Sequence, residues 1–187
     1  MIKIIDKEIE CELLKIISKN AFSIDDPREK DVKKIIGDVI KDKDKALIKY
    51  AKKFENAEIS VRDIKVSKKE IDEAYTAVDK EFIDALKVAI KNIEFYHKQQ
   101  LPDQWFETRE DDVVLGLRNI VMDSVGVYVP GGRFPYSSSV LMGVIPARIA
   151  GVPNISVITP PKKNGKIDPH ILVAAKEAGA SNVYKSG

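Results

Sequence analysis

Two histidines, His97 and His170, and one cysteine, Cys11, are all the imidazole and thiol groups in this 187-residue chain. They are scattered, with no H-x-x-x-H or C-x-x-C spacing, whereas zinc needs three or four convergent N, S or O ligands. No residue is therefore assigned a metal-ligating or catalytic role, and no Glu–His pair suited to acid–base work stands in a recognisable motif. His97, beside Lys98 at a helix end, is expected to stabilise the C-terminal carbonyls. His170, near the start of another helix, is expected to face solvent. The stronger chemical signal is the run Tyr128, Val129, Pro130, Gly131, Gly132. Proline and two glycines stop a strand and strip Cβ atoms from the turn. A ligand could approach that backbone closely, with the Tyr128 phenol beside it.

The elements around this turn give it meaning. Val125 to Val129 is a short apolar run rich in β-branched and aromatic side chains, which reads as a buried strand. A helix is expected from about Ser139 to Ala150 and a second strand from Ile155 to Thr159. Strand, glycine turn, helix and strand form a βαβ unit. Its turn sets backbone N–H groups and a helix N-terminus at the strand's carboxyl end, an arrangement suited to nucleotide phosphates. Gly131 and Gly132 do not fit the G-x-G-x-x-G spacing, so they are a weak signal by themselves. By residue type a strand tyrosine more often packs than binds a ligand, and serines 137–139 read first as caps for the following helix. Pro146 falls inside that helix, where it deprives the Met142 carbonyl of its donor and should bend or interrupt it.

A second crossover follows. After the turn at Lys162–Lys166 a helix opens near Pro169, carries Ile171, Leu172, Ala174, Ala175 and Ala178 inward, and ends before Gly179. Asn182 to Tyr184 begins a third strand. The fold class is α/β: a helix-rich N-terminal region, then a doubly wound, mostly parallel Rossmann-like sheet that is incomplete. Residues 1–122 form the first region and 123–187 the beginning of the second. Charge marks the same division. Residues 1–120 hold 24 basic and 26 acidic residues, and the rest of the chain only seven and three. The first part reads as solvated amphipathic helices, the second as a sheet buried on both faces.

Within the first part, Val32, Ile35, Ile36, Val39 and Ile40 share one helical face. The pattern resumes out of phase at Leu47, Tyr50, Ala51 and Phe54, which predicts two helices. Ser67 with Glu70 fits a capping box. Ile71, Ala74, Tyr75 and Val78 are the apolar face of the helix it opens. Phe82, Leu86, Ala89, Ile90, Ile93 and Tyr96 mark a longer helix ending before Pro102, and a strand is expected near 113–120. A net charge of +2 gives no argument for nucleic acid or for an anionic membrane. A single cysteine and the absence of an apolar span or signal-peptide core point to the cytoplasm.

Residue by residue, the stretch from Val125 to Pro161 resembles the histidinol dehydrogenase family. The match runs through Val-Gly-x-Tyr-Val-Pro-Gly-Gly at 125–132, Pro135 and the serines after it, and Val-Leu-Met at 140–142. It continues through Ile-Pro-Ala-Arg at 145–148, Ala-Gly at 150–151 and Thr-Pro-Pro at 159–161. Upstream it persists more loosely, in Ala46, Leu47, Tyr50 and Phe54 and then Phe95 to Gln99. The resemblance implies a homodimer that oxidises L-histidinol to L-histidine with two NAD⁺, using zinc and a Glu–His pair. It also implies that the matching tyrosine, Tyr128, contacts NAD, with Pro130, Gly131 and Gly132 shaping the cofactor's edge. Family members continue through a Gly-Gly-Ala-Gln run where this chain reaches Tyr184-Lys185-Ser186-Gly187, and their zinc ligands and Glu–His pair belong to that later part. Two readings follow: the N-terminal part of such an enzyme, inactive by itself, or a stand-alone nucleotide-binding or oligomerisation module.

Overall fold

The computed structural model describes residues 27–131 and 134–187. Cys11, Gly132 and Arg133 lie outside the described residues. The chain divides into two compact units, Met1–Lys43 and Asp44–Gly187. The described part of the first is helix α1 (Pro27–Asp42). Lys43, with φ at 50°, ends that helix before α2 (Asp44–Glu55) begins. This break accounts for the phase shift in the apolar pattern.

In the second unit, local capping chemistry sets the helix starts. Ser67 Oγ accepts the Glu70 N–H at 3.2 Å while Glu70 Oε2 accepts the Ser67 N–H at 3.0 Å, opening α3 (Lys68–Thr76). Asp79 accepts the Phe82 N–H at 2.6 Å and opens α4 (Lys80–Lys98). Further on, α5 (Ser137–Ile149) contains Pro146, and α6 (Pro169–Ala178) ends on Gly179 with φ at 93°, a left-handed position suited to glycine.

Strands β3 (Ser124–Tyr128), β4 (Asn154–Thr159) and β5 (Asn182–Lys185) form a parallel sheet in that order. Tyr128 pairs with Ile158, and Thr159 with Lys185. The crossover helices α5 and α6 pack on each other, and α3 and α4 pack beside them. One core joins Val129, Val140, Ile145, Ile155, Val157, Val173 and Val183 with Ala74 of α3 and Leu86 of α4. A smaller cluster of Ala51, Ile59 and Ile64 takes Tyr184 from the opposite face of the sheet. Helices therefore lie on both sides, the doubly wound arrangement that the alternating pattern predicts.

The expectation of a sheet buried on both faces is corrected. The second face is covered only at β5. Toward β3 it leaves Gly126 and Tyr128 exposed and Ile158 half-buried. An apolar strand sequence reports that a strand is sheet-like, and coverage depends on which helices reach it. Before the sheet, β2 (Val114–Leu117) is shorter than the strand expected near 113–120, and it pairs antiparallel with β1 (Trp105–Thr108), which the sequence pattern did not reveal. Asp112, with φ at 59°, makes the turn, and the Phe106 ring lies over the space where a Gly116 Cβ would be.

Candidate functional site

The carboxyl ends of β3 and β4 carry the candidate site. Tyr128, the last residue of β3, stands on the open face of the sheet and is 58% exposed. The next residue turns inward: Val129 is fully buried and donates its N–H to the Ile158 carbonyl at 2.8 Å. Pro130 is exposed. Gly131 then passes against the β4–α6 loop so closely that a Cβ would lie 2.5 Å from Pro160 Cγ. This glycine is required by close approach, since a proline ring held in its own backbone cannot give way. A small crevice of about 40 Å³ opens between Gly131, Phe134 and Pro135 on one side and Pro160, Lys162 and Asp168 on the other.

The two helix N-termini at this end differ. Asp168 caps α6: its Oδ1 accepts the His170 N–H at 3.0 Å and lies 2.9 Å from His170 Nδ1, while Lys162 donates to Oδ2 at 2.7 Å. Burial pushes the Asp168 carboxyl up, but the bonds from Lys162 and His170 and the Lys162 charge outweigh it and hold it below the ordinary carboxylate range. An anion at that terminus would meet a carboxylate. The N-terminus of α5 is different. Tyr136 precedes it without a side-chain cap, and the Ser139 N–H donates to the Tyr136 carbonyl at 3.1 Å, so no carboxylate neutralises the positive end of this helix. Of the two termini, only α6 carries a capping carboxylate.

The expectations for the serine cap and for His170 are corrected here, while His97 stands in the last turn of its helix as expected. Ser137 does not cap α5; it is the first helical residue, and its hydroxyl donates to the His170 carbonyl at 3.4 Å, tying the two crossovers together. His170 is half-buried, with its ring edge-on to Phe82 at 4.7 Å and its Nδ1 on Asp168. His97 meets the Gln100 side chain, Nδ1 to Oε1 at 2.6 Å. Lys162 and Asp168 were missed. An aspartate directly before Pro169 was a legible N-cap signal, but its lysine partner is set by the loop's path. Of the candidates, the fold brings Gly131 to the crevice, while Tyr128 stands on the sheet's open face with Ile158 as its register neighbour. Gly132 lies outside the described residues.

A family model described as histidinol dehydrogenase matches residues 19–187. The chain belongs to the histidinol dehydrogenase family. A histidinol dehydrogenase from Thermosynechococcus vestitus is 40% identical over the full chain, which spans 44% of that relative. One from Bacillus subtilis is 46% identical over 86% of the chain and 37% of its own length. The crystal structure of histidinol dehydrogenase from Elizabethkingia anophelis superposes with a TM-score of 0.80 at 39% identity, covering 89% of this chain and 38% of that one. The chain thus spans less than half the length of these histidinol dehydrogenases.

An exposed aromatic ring, a glycine that admits no Cβ and a helix N-terminus without a side-chain cap lie at the carboxyl end of the sheet. No three His, Cys, Asp or Glu side chains converge on a metal position among the described residues. No helix among them is long and apolar enough to cross a membrane.

Proposed function

We propose that this chain is the N-terminal part of a zinc- and NAD-dependent histidinol dehydrogenase, which oxidises L-histidinol to L-histidine with two NAD⁺ as a cytoplasmic homodimer. In this reading the chain contributes cofactor contacts and no acid, base or zinc ligand. NAD⁺ supplies the hydride acceptor when bound. Tyr128 offers its ring and hydroxyl on the open face of the sheet, Pro130 and Gly131 with Gly132 shape the edge, and the start of α5, which has no side-chain cap, offers its positive end to phosphate oxygens. The observation that carries the reading is Tyr128: a tyrosine at the carboxyl end of a parallel strand, more than half exposed, contributes little to the core and is available to a ligand.

Isolated, the chain is expected to bind NAD⁺ with a Kd in the millimolar range, about −4 kcal/mol, because it spans less than half the length of the histidinol dehydrogenases it matches. It is expected to yield no NADH from histidinol. Tyr128→Ala should abolish the binding and change stability by less than about 0.5 kcal/mol, as for an exposed residue. Tyr75→Ala should do the reverse. Its hydroxyl donates to Glu177 at 2.6 Å across to α6, so its loss costs about 1–3 kcal/mol and leaves the site intact. Calorimetric or NMR titration of NAD⁺ into each variant checks this, and a Tyr128→Ala protein that binds like its parent overturns the assignment.

A further inference from the structure

A charge lies inside the sheet where the cofactor reading has no use for it. Lys185, the last residue of β5, is only 4% exposed, and its ammonium donates to Glu70 Oε1 at 2.5 Å. Glu70 is also the third residue of α3, where its other oxygen accepts both the Ser67 N–H at 3.0 Å and the Ser67 hydroxyl at 3.1 Å. One carboxylate therefore joins the start of α3 to the end of β5. Between these two anchors, Ile64–Val66 runs antiparallel along the free edge of β5. The Lys185 N–H donates to the Ile64 carbonyl at 2.7 Å, the Val66 N–H donates to the Val183 carbonyl at 2.9 Å, and Lys65 bridges Tyr184.

We propose that the Glu70–Lys185 pair is a charge latch that holds Ile64–Val66 on β5 as an edge strand, and that its release frees this edge while the rest of the sheet stays folded. The guard is held by two ladder bonds and by the buried Ile64 and Val66 side chains. The pair beside it works in one direction only. While both groups are charged it closes the edge, and once the carboxylate is neutral an ammonium is left buried without a counter-charge, which is strongly unfavourable. The cheapest relief is local: Ile64–Val66 separates from the carboxyl end of β5 until Lys185 reaches water. Freed, the N–H and C=O groups of β5 become a pairing template.

The groups around the pair define what else could titrate. From α3, Glu73 lines the same cleft as Glu70, and Lys166 lines it from the loop before α6. From the turn before Ile64, Asp63 feels the Lys185 charge, and its carboxylate accepts the Ser60 N–H and hydroxyl at 2.9 and 2.7 Å. Glu55 of α2 lies near Gly187 beyond the strand end. Asp63 is the competing trigger, because its protonation would loosen the turn that leads into the guard.

Amide hydrogen exchange on the full chain, corrected for intrinsic rates, tests the latch. Between pH 7 and about 3.5, protection of the Val66 and Lys185 amides should fall by roughly fivefold relative to the Val129 amide, which reports β3–β4. Glu70→Gln should produce the same selective loss at pH 7. Glu70→Gln combined with Lys185→Met removes the buried charge and should restore protection at every pH, whereas Asp63→Asn should leave the acid response in place. Parallel loss at Val129, full protection in Glu70→Gln, or an acid response that survives in the double variant or vanishes in Asp63→Asn would each overturn the proposal.

Discussion

At the scale of single residues, the site is a matter of what a Cβ or a ring would touch. Gly131 is fixed by contact, since a methyl group there would sit 2.5 Å from Pro160 Cγ. Gly131→Ala should therefore push the Pro-Gly-Gly loop from the β4–α6 loop and cost about 1–3 kcal/mol, the usual range for overpacking. Urea unfolding checks this; an unchanged midpoint would mean that the loop absorbs the methyl freely. Tyr128 is the opposite case, a large ring with little to lose in the fold. The two residues lie three apart in sequence, yet one is constrained by packing and the other is free for a ligand.

At the scale of elements, the site depends on how closely α5 lies on the sheet. Gly143, in the middle of that helix, faces β3 so tightly that an added Cβ would collide with Val127 Cγ1. Gly143→Ala gains helix propensity, about 1 kcal/mol in an exposed helix, but must lift α5 from β3. The contact should win, with a net loss of stability and a displaced α5 N-terminus. A higher thermal midpoint for Gly143→Ala would show that the helix can move away at no cost. Asp168 plays a comparable role for α6, caps it and draws in Lys162. The starts of the two crossover helices thus differ, α5 without a side-chain cap and α6 with a carboxylate.

At the scale of the whole molecule, acid and exposed apolar surface are the two weak points. Glu70 and Asp168 have carboxyls held below their ordinary values: burial raises each, and bonds from Lys185 and Ser67, or from Lys162 and His170, outweigh it. A depressed carboxylate stabilises the fold above its unfolded pKa and loses that contribution as pH falls through its folded value. Stability should thus be flat from about pH 5 to 8 and decline below about pH 4. Asp168→Asn, which can still cap, should make the decline shallower; an identical pH profile for that variant would remove Asp168 from the account. The second weak point lies away from the site. The β1–β2 hairpin exposes Trp105, Phe106, Val114, Leu115 and Leu117, and an apolar groove of about 780 Å³ opens at the amino end of β3 between Leu101, Met122 and Pro146. A two-stranded hairpin is marginal in water by itself, and such surface is usually covered. The chain is expected to self-associate, and a monomer mass by light scattering at micromolar concentration would refute that.

What the sequence determined by itself was local. The Ser67–Glu70 box, the two-helix break near Lys43, the proline start and glycine end of α6, and the order of strands and helices all depend on residues within a few positions of each other. Short-range capping, periodicity and turn chemistry are therefore sufficient to read them. The Pro-Gly-Gly turn after Tyr128 belonged to the same class. Tertiary structure decided the rest, because it concerns partners far apart in the chain. Gly131 needs Pro160, Asp168 needs Lys162 from the loop's return, and Lys185 needs Glu70 from a helix 115 positions earlier. The open face around Tyr128 likewise followed from helices that cover β5 and stop short of β3. A strand's own residues carry no record of where the covering helices end.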